Sequence, residues 1–337
     1  MKKLLFLFIV LFLMLGCRKN KESIIIRPTV YQDSISVFAV RTYRDSTFWN
    51  TVARLYSVIY NSKINYRFFN DVSGLLDSLD TSADVVLGID KFYAAKLQND
   101  TLFTQYRPIN YQFIKRVIRP REKIVFIPFV YNYEVIFTKD YLKDYPKTLA
   151  VLQDHDLYNR VIYFNPDKTF VGRDFLLYSL AVYTNLGYRR FWRGIKKSVF
   201  SIEDDLQKGA EKFIKGDASA IMFPCVNPYI KDERYYLPAE GYFCSIFYMA
   251  IPKHSKNIGK SQKFIDFILS DDVQKAVYDS RLGIPVSTRV LEQIADDIKL
   301  DKRGKNLCNK PKPKVIRNNE KYMRRIWKRT IKKKKKK

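Results

Sequence analysis

Cys17 has the most definite chemistry in this chain because of what precedes it. Lys2 and Lys3 lead into an apolar run from Leu4 to Leu15, and Gly16-Cys17 closes it with a small residue and a thiol. That layout is an export signal, too short to make a comfortable membrane span. The Leu-Gly-Cys ending resembles a bacterial lipobox, with Met14 where Leu is more usual, so Cys17 is expected to be acylated as the mature N-terminus. A retained signal anchor is the alternative. Either way the body is expected outside the cytoplasm, tethered to a membrane face.

The other reactive side chains exclude more than they assign. Cys225, Cys244 and Cys308 allow one disulfide in an exported protein, with Cys225 and Cys244 as one candidate pair and buried free thiols as the alternative. No C-x-x-C or Cys/His spacing is present, and His155 and His254 are the only histidines. A metal site and a hydrolase built on a His base are therefore not expected. There is also no G-x-S-x-G elbow, H-E-x-x-H motif or phosphate-cradling loop, so the chain reads as a non-enzyme without a cofactor. Tyr235-Tyr236, with Glu240 nearby, reads on its own as a packed strand. Asp71 is the residue type that forms a turn or caps a helix. Thr169 suits an N-cap, and Asp84 and Asp90 flank an apolar run.

The 337-residue chain carries 61 Lys and Arg against 34 acidic residues, a net charge of +27. Residues 301–337 hold 18 of those cations and 2 acids, so +16 of the total belongs to the last segment. Such a run attracts phosphates without sequence specificity and can touch anionic lipid head groups. No aromatic interleaving or RNA-binding motif accompanies it, so a solvated tail is expected rather than a specific nucleic-acid site. A hydrophobic content of 47% marks the rest as folded, and its length suits two α/β lobes.

The elements that must position these residues alternate between strands and helices. Residues 34–40, 64–69, 83–88, 160–164, 218–223 and 243–251 read as strands, and 124–129 with 133–137 as a strand pair. Helical spacing covers 48–59, 73–79, 173–188, 206–215, 261–269 and 273–280, and a helix starts at Leu149 to Leu152. Lys302 to Lys314, with Pro311 and Pro313 among lysines, reads as an extended linker, and Asn318 to Ile331 as one more helix. No internal repeat is evident. The pattern predicts an α/β protein with mostly parallel sheets.

Several segments, in order, resemble the periplasmic thiamine-binding proteins of ABC importers, within the wider class of two-lobed solute-binding proteins. They are Thr42-Tyr43-Arg44-Asp45-Ser46, Asn70-Asp71, Ala83-Asp-Val-Val-Leu-Gly-Ile-Asp90 and Phe126-Ile-Pro-Phe-Val-Tyr-Asn-Tyr133. Arg160-Val-Ile-Tyr163 with Asn165-Pro166, Gly172, Phe213-Ile-Lys-Gly216, Asn227-Pro228, Glu240-Gly241 and the last helix with Trp327 continue the series. The resemblance spans about residues 36 to 330.

It implies a two-lobed, type II-like periplasmic-binding-protein fold with crossing hinge segments near Phe129 and Phe243. Residues 1–17 would be the signal peptide and 18–35 a linker. Residues 36–128 and 244–300 would form lobe 1, 129–243 lobe 2, and 301–337 a basic tail. The implied role is capture of thiamine or a thiamine phosphate and delivery to a permease. Asp71 would take the amino group, Tyr43 would stack on a ring, Thr169 would meet the anionic end, and Tyr229 lies near a later ligand-facing tyrosine. Departures fall at Leu206 and Leu282, where the family has tryptophan, at Phe223 or Pro224 for a tyrosine, and at Val130 for an acid. Related two-lobed proteins bind ferric iron through adjacent tyrosines, which makes Tyr235-Tyr236 the rival site. A surface lipoprotein with a polyanion-binding tail is the third reading.

Overall fold

A computed structural model describes residues 33–42, 46–80, 82–99, 101–121, 123–139, 148–183, 185–231, 233–294 and 305–331. The chain enters through β1 (Asp33–Val40), α1 (Thr47–Tyr60), β2 (Ser62–Phe69), α2 (Val72–Asp77), β3 (Val85–Asp90) and α3 (Lys91–Leu97). It continues through β4 (Phe103–Thr104), β5 (Ile127–Thr138), β6 (Val161–Phe164), α4 (Phe170–Val182), α5 (Asn185–Gly194), β7 (Val199–Glu203), α6 (Leu206–Lys215) and β8 (Ala220–Pro224). The remaining elements are β9 (Tyr235–Tyr236), β10 (Cys244–Pro252), α7 (Ile258–Ile268), α8 (Asp271–Asp279), β11 (Ile284–Pro285), α9 (Thr288–Gln293) and α10 (Pro313–Thr330).

The strands form one sheet in the order β2-β1-β3-β10-β5-β8-β6-β7. At one end β1 runs parallel to β2 and β3, and at the other β6 runs parallel to β7 and β8. The centre differs from the expected mostly parallel arrangement, because β10 and β5 run against their neighbours. Helical crossovers return a chain for parallel pairing, whereas β5 and β10 are entered from loops.

Residues 124–129 and 133–137 do not make a strand pair. Residues 127–138 form instead one twelve-residue strand, β5, buried along its whole length, and residues 124–126 lead into it. No Gly or turn pair interrupts Val130-Tyr131-Asn132, and Asn132, which reads as a turn former, is used inside the core. Its Oδ1 accepts from Val226 N at 3.0 Å and its Nδ2 donates to Val226 O, which holds the loop after β8. Up to Tyr133 the strand pairs with β10, and from Glu134 it pairs with β8. β5 therefore passes from one parallel group to the other.

The helix expected over 173–188 is two helices. α4 ends where Tyr183 turns extended, and α5 folds back so that Phe191 stacks on Tyr183 at 4.6 Å and Trp192 meets Phe175 edge-on at 5.0 Å. Leu149–Gln153 forms a short 3-10 turn rather than the start of an α-helix.

The segment read as linker and tail is, over residues 305–331, part of the folded body. Cys308 is bonded to Cys244, not Cys225 to Cys244 as one expectation had it, and Cys225 is a buried free thiol. Tyr242 N donates to Lys305 O, and Leu307 N to Tyr242 O, so β10's lead-in and this segment are laced together. α10 starts at Pro313, which suits the first helical position, and its apolar stripe of Ile316, Met323, Ile326 and Trp327 is buried. Trp327 meets Trp192 of α5 edge-on at 5.6 Å.

Candidate functional site

The strand ends decide where the main cleft lies. β1, β2 and β3 stop at Val40, Phe69 and Asp90, and β6 and β7 stop at Phe164 and Glu203. The turns that follow line a cavity of about 420 Å³, which includes Arg41, Asn70, Asp71, Lys168, Thr169, Asp204 and Asp205. In open α/β sheets the crevice outside the strand C-termini is where ligands bind, because helix N-termini converge there. Here α2, α4 and α6 each begin at the cleft with a capping side chain. Asp71 Oδ1 accepts from Gly74 N at 2.8 Å, Thr169 from Gly172 N at 3.1 Å, and Asp205 from Lys208 N at 3.0 Å.

Two glycines permit this convergence. Gly88, at φ 89°, lines the cleft, and a Cβ there would sit 2.7 Å from Val40 O. A Cβ at Gly172 would lie 2.6 Å from both Phe164 O and Pro166 N, so α4 packs directly on the turn that carries Thr169.

The cleft has one cross-brace. Arg173 of α4 donates through Nη2 at 2.7 Å and Nε at 2.9 Å to Asp90 Oδ2, with both side chains buried. Arg173 Nη1 also donates to Pro166 O at 3.2 Å, so its guanidinium is held within the protein. The Arg173–Asp90 pair neutralises itself, and Asp71, Asp204, Asp205, Arg41 and Lys168 are the other charged residues of the lining. Phe170, Phe247 and Tyr229 add aromatic surface to the lining, and Phe170 meets Phe247 edge-on at 4.8 Å. Asp71 Oδ2 has no partner among the described residues. Carboxylates beside aromatic faces suit a cationic, amino-bearing ring system, and the two cations suit an anionic arm.

Of the four residues expected to touch a ligand, Asp71, Thr169 and Tyr229 line this cleft. The Thr169 hydroxyl is already committed, since it accepts from Gly172 N and donates to Asn165 O at 3.1 Å. Tyr43 and the lipidation residue Cys17 lie outside the described residues. Tyr131 and Tyr133 are buried core residues. Leu206 lines the cleft at a position where a tryptophan was expected from the resemblance, whereas Leu282, Phe223 and Val130 are buried elsewhere.

Tyr235 and Tyr236 form β9 beside β5 and are not part of the cleft lining. Glu240 accepts from Leu149 N at 2.8 Å and is spent there. Among the described residues no group of three or more His, Cys, Asp or Glu side chains could hold a metal.

Sequence reasoning missed Asp204, Asp205, Phe170 and Phe247. Asp205 carried a signal, as the acid immediately before a helix. Phe247 carried none, because alternation along β10 does not say which face meets the cleft.

Residues 80–306 match the family described as bacterial extracellular solute-binding protein. The chain is 25% identical over 262 residues to the thiamine-binding periplasmic protein of Haemophilus influenzae, covering 73% of this chain and 77% of that protein. With its counterpart in Escherichia coli the identity is 25% over 228 residues, covering 64% of this chain and 68% of that one. Among solved structures, a periplasmic thiamin-binding protein aligns at a TM-score of 0.75 with 21% identity, over 88% of this chain and 96% of the other. A ferric-binding protein from Campylobacter jejuni aligns at 0.73 with 16% identity, over 88% and 99%.

Proposed function

This chain belongs to the bacterial extracellular solute-binding protein family, and from that membership we propose that its cleft captures thiamine or a thiamine phosphate for an importer. Members of the family bind a small solute outside the cytoplasm and hand it to the permease of an ABC importer, and they catalyse nothing. The curated relatives named for thiamine support the choice of solute. One observation carries it: Asp71, Asp204 and Asp205 share a single cavity with Phe170, Phe247 and Tyr229, and with Arg41 and Lys168. The Asp71 oxygen that does not cap α2 suits the aminopyrimidine, the rings suit the thiazolium cation, and the two cations suit a phosphate on the hydroxyethyl arm.

We also propose that residues 36–128 and 244–300 form lobe 1 and residues 129–243 lobe 2. The change of partner along β5, from β10 to β8, supports a crossing there. Closure would then be a population shift, because the ligand touches both walls only in the closed form. Acylation of Cys17 after removal of residues 1–17 would tether the body to the membrane through the linker at 18–35. Tyr43 would stack on a ring of the ligand.

Calorimetric titration of the full chain with thiamine, thiamine monophosphate and Fe(III) tests the reading. A thiamine compound should bind, and at a hundredfold excess over its dissociation constant it should stabilise the fold by about 2.7 kcal/mol. Asp71→Asn keeps a good helix cap and removes the charge. It should weaken binding by about tenfold or more, since a hydrogen bond to a charged group contributes about 1.5–3 kcal/mol. Equal affinity in that variant would remove Asp71 from the site. A visible absorption band with Fe(III), and no thiamine binding, would sink the proposal.

A further inference from the structure

A second cavity, of about 730 Å³, opens on the opposite face of β10 from the cleft. Side chains alternate along a strand: Phe247 lines the cleft, and its neighbours Ile246 and Tyr248 line this groove. Eight of the lining side chains are Lys or Arg and, among the described residues, none is Asp or Glu. Lys91 is buried and spent, with Nζ donating to Cys308 O at 2.9 Å and Lys310 O at 2.6 Å. Arg119 donates to Gln112 O at 2.9 Å, and Arg317 to Ala95 O at 2.7 Å. The other five, Arg116, Arg121, Lys123, Lys312 and Lys314, are exposed and form no ion pair among the described residues.

These cations come from stretches of chain far apart in sequence. Residues 116–123 precede β5, whereas 312–317 begin α10 and are tied down by the disulfide at Cys308 and by Arg317 on α3. Folding thus gathers like charges into one concave place, with no acid among the described residues that line it. Elsewhere α10 does pair its charges: Arg324 meets Asp167 and Glu320, and Glu320 meets Lys96. A concave basic wall focuses its field on an incoming anion, and guanidinium forks beside ammonium groups match phosphate oxygens.

We propose that this groove is a second binding site, for a small anion bearing two or more phosphate groups. A single phosphate could satisfy only part of a set spread over such a volume. The apolar floor of Ala94, Ala95, Phe126 and Ile246 would accommodate an organic portion of the same molecule.

The test is calorimetric titration of the full chain with sodium tripolyphosphate, and in a parallel arm with a soluble short-chain diphosphatidylglycerol. The comparison variant is Arg121→Ala/Lys314→Ala, two exposed positions whose loss should leave the melting temperature and thiamine titration unchanged. Saturable binding is expected, about tenfold weaker in the variant and falling steeply between about 50 and about 200 mM salt. Preference for tripolyphosphate assigns the site to a free phosphorylated compound, and preference for the lipid assigns it to a membrane headgroup. No saturation with either probe, or equal binding by parent and variant, overturns the proposal. Because Asp71→Asn leaves this groove untouched, failure here and failure of the thiamine reading are read from different variants.

Discussion

Ser245 stands between two buried carboxyls and has one proton to give. Its Oγ lies 2.5 Å from Asp174 Oδ2 and also bonds Glu134 Oε1. One hydroxyl hydrogen serves one acceptor, so one of the acids must itself be protonated and donate to Ser245. Burial pushes Glu134 well above the usual carboxylate range and raises Asp174 from 3.8 to about 7, with Ser245 and Lys91 opposing. Between those limits the folded chain holds a proton on Asp174 that the unfolded chain has released, so stability falls as pH rises through that window. Asp174→Asn should flatten this slope, visible as a smaller difference in melting temperature between about pH 5 and about pH 7. An unchanged slope would mean that another group sets the dependence. Lys91 acts in the opposite sense. Burial lowers its amine from 10.5 to about 7, so its contribution to stability rises with pH above neutrality.

At the scale of elements, the cleft depends on how closely α4 can approach the turn after β6. Gly172→Ala would place a methyl group 2.6 Å from two backbone atoms. Such overpacking should destabilise the fold by about 1–3 kcal/mol and widen the cleft, which urea unfolding and a thiamine titration would register together. Retained stability would show that the turn gives way more easily than backbone usually does. The covalent link between β10 and the segment before α10 spans 64 residues of sequence. Cys244→Ser/Cys308→Ser should cost about 2–5 kcal/mol and loosen residues 305–312, which would then be held by the backbone bonds to Tyr242 and by Lys91 on two carbonyls. Denaturant midpoints with and without reductant, compared for parent and variant, measure this.

For the molecule as a whole, the basic C-terminal segment is structural at least as far as Ile331. Truncation after Asn306 removes Cys308 and the buried stripe of α10, and it strips cover from Tyr188 and Trp192 of α5. Large buried aromatics dominate core energetics, so the truncated chain should unfold at a markedly lower temperature and with less cooperativity. A truncated chain that melts like the parent would show that α10 is an appendage. A body ending at Leu300, which a sequence boundary at residue 301 would suggest, is therefore the wrong piece with which to measure ligand affinity.

The sequence by itself determined the α/β class, the family resemblance and most strand positions, because apolar alternation and turn residues are local signals. It also marked Asp71 and Thr169, whose spacing to the following helix announces a cap. It could not determine that β5 is one strand, because an Asn inside a β-rich run looks like a turn until its amide is seen holding Val226. Nor could it pair Cys244 with Cys308, bring Asp204, Asp205 and Phe247 to the same cleft as Asp71, or join residues 116–123 to the start of α10 in one basic groove. Those choices rest on contacts between residues distant in sequence, which no local periodicity encodes. They were decided by how two parallel strand groups meet across β5 and β10 and by what α10 covers.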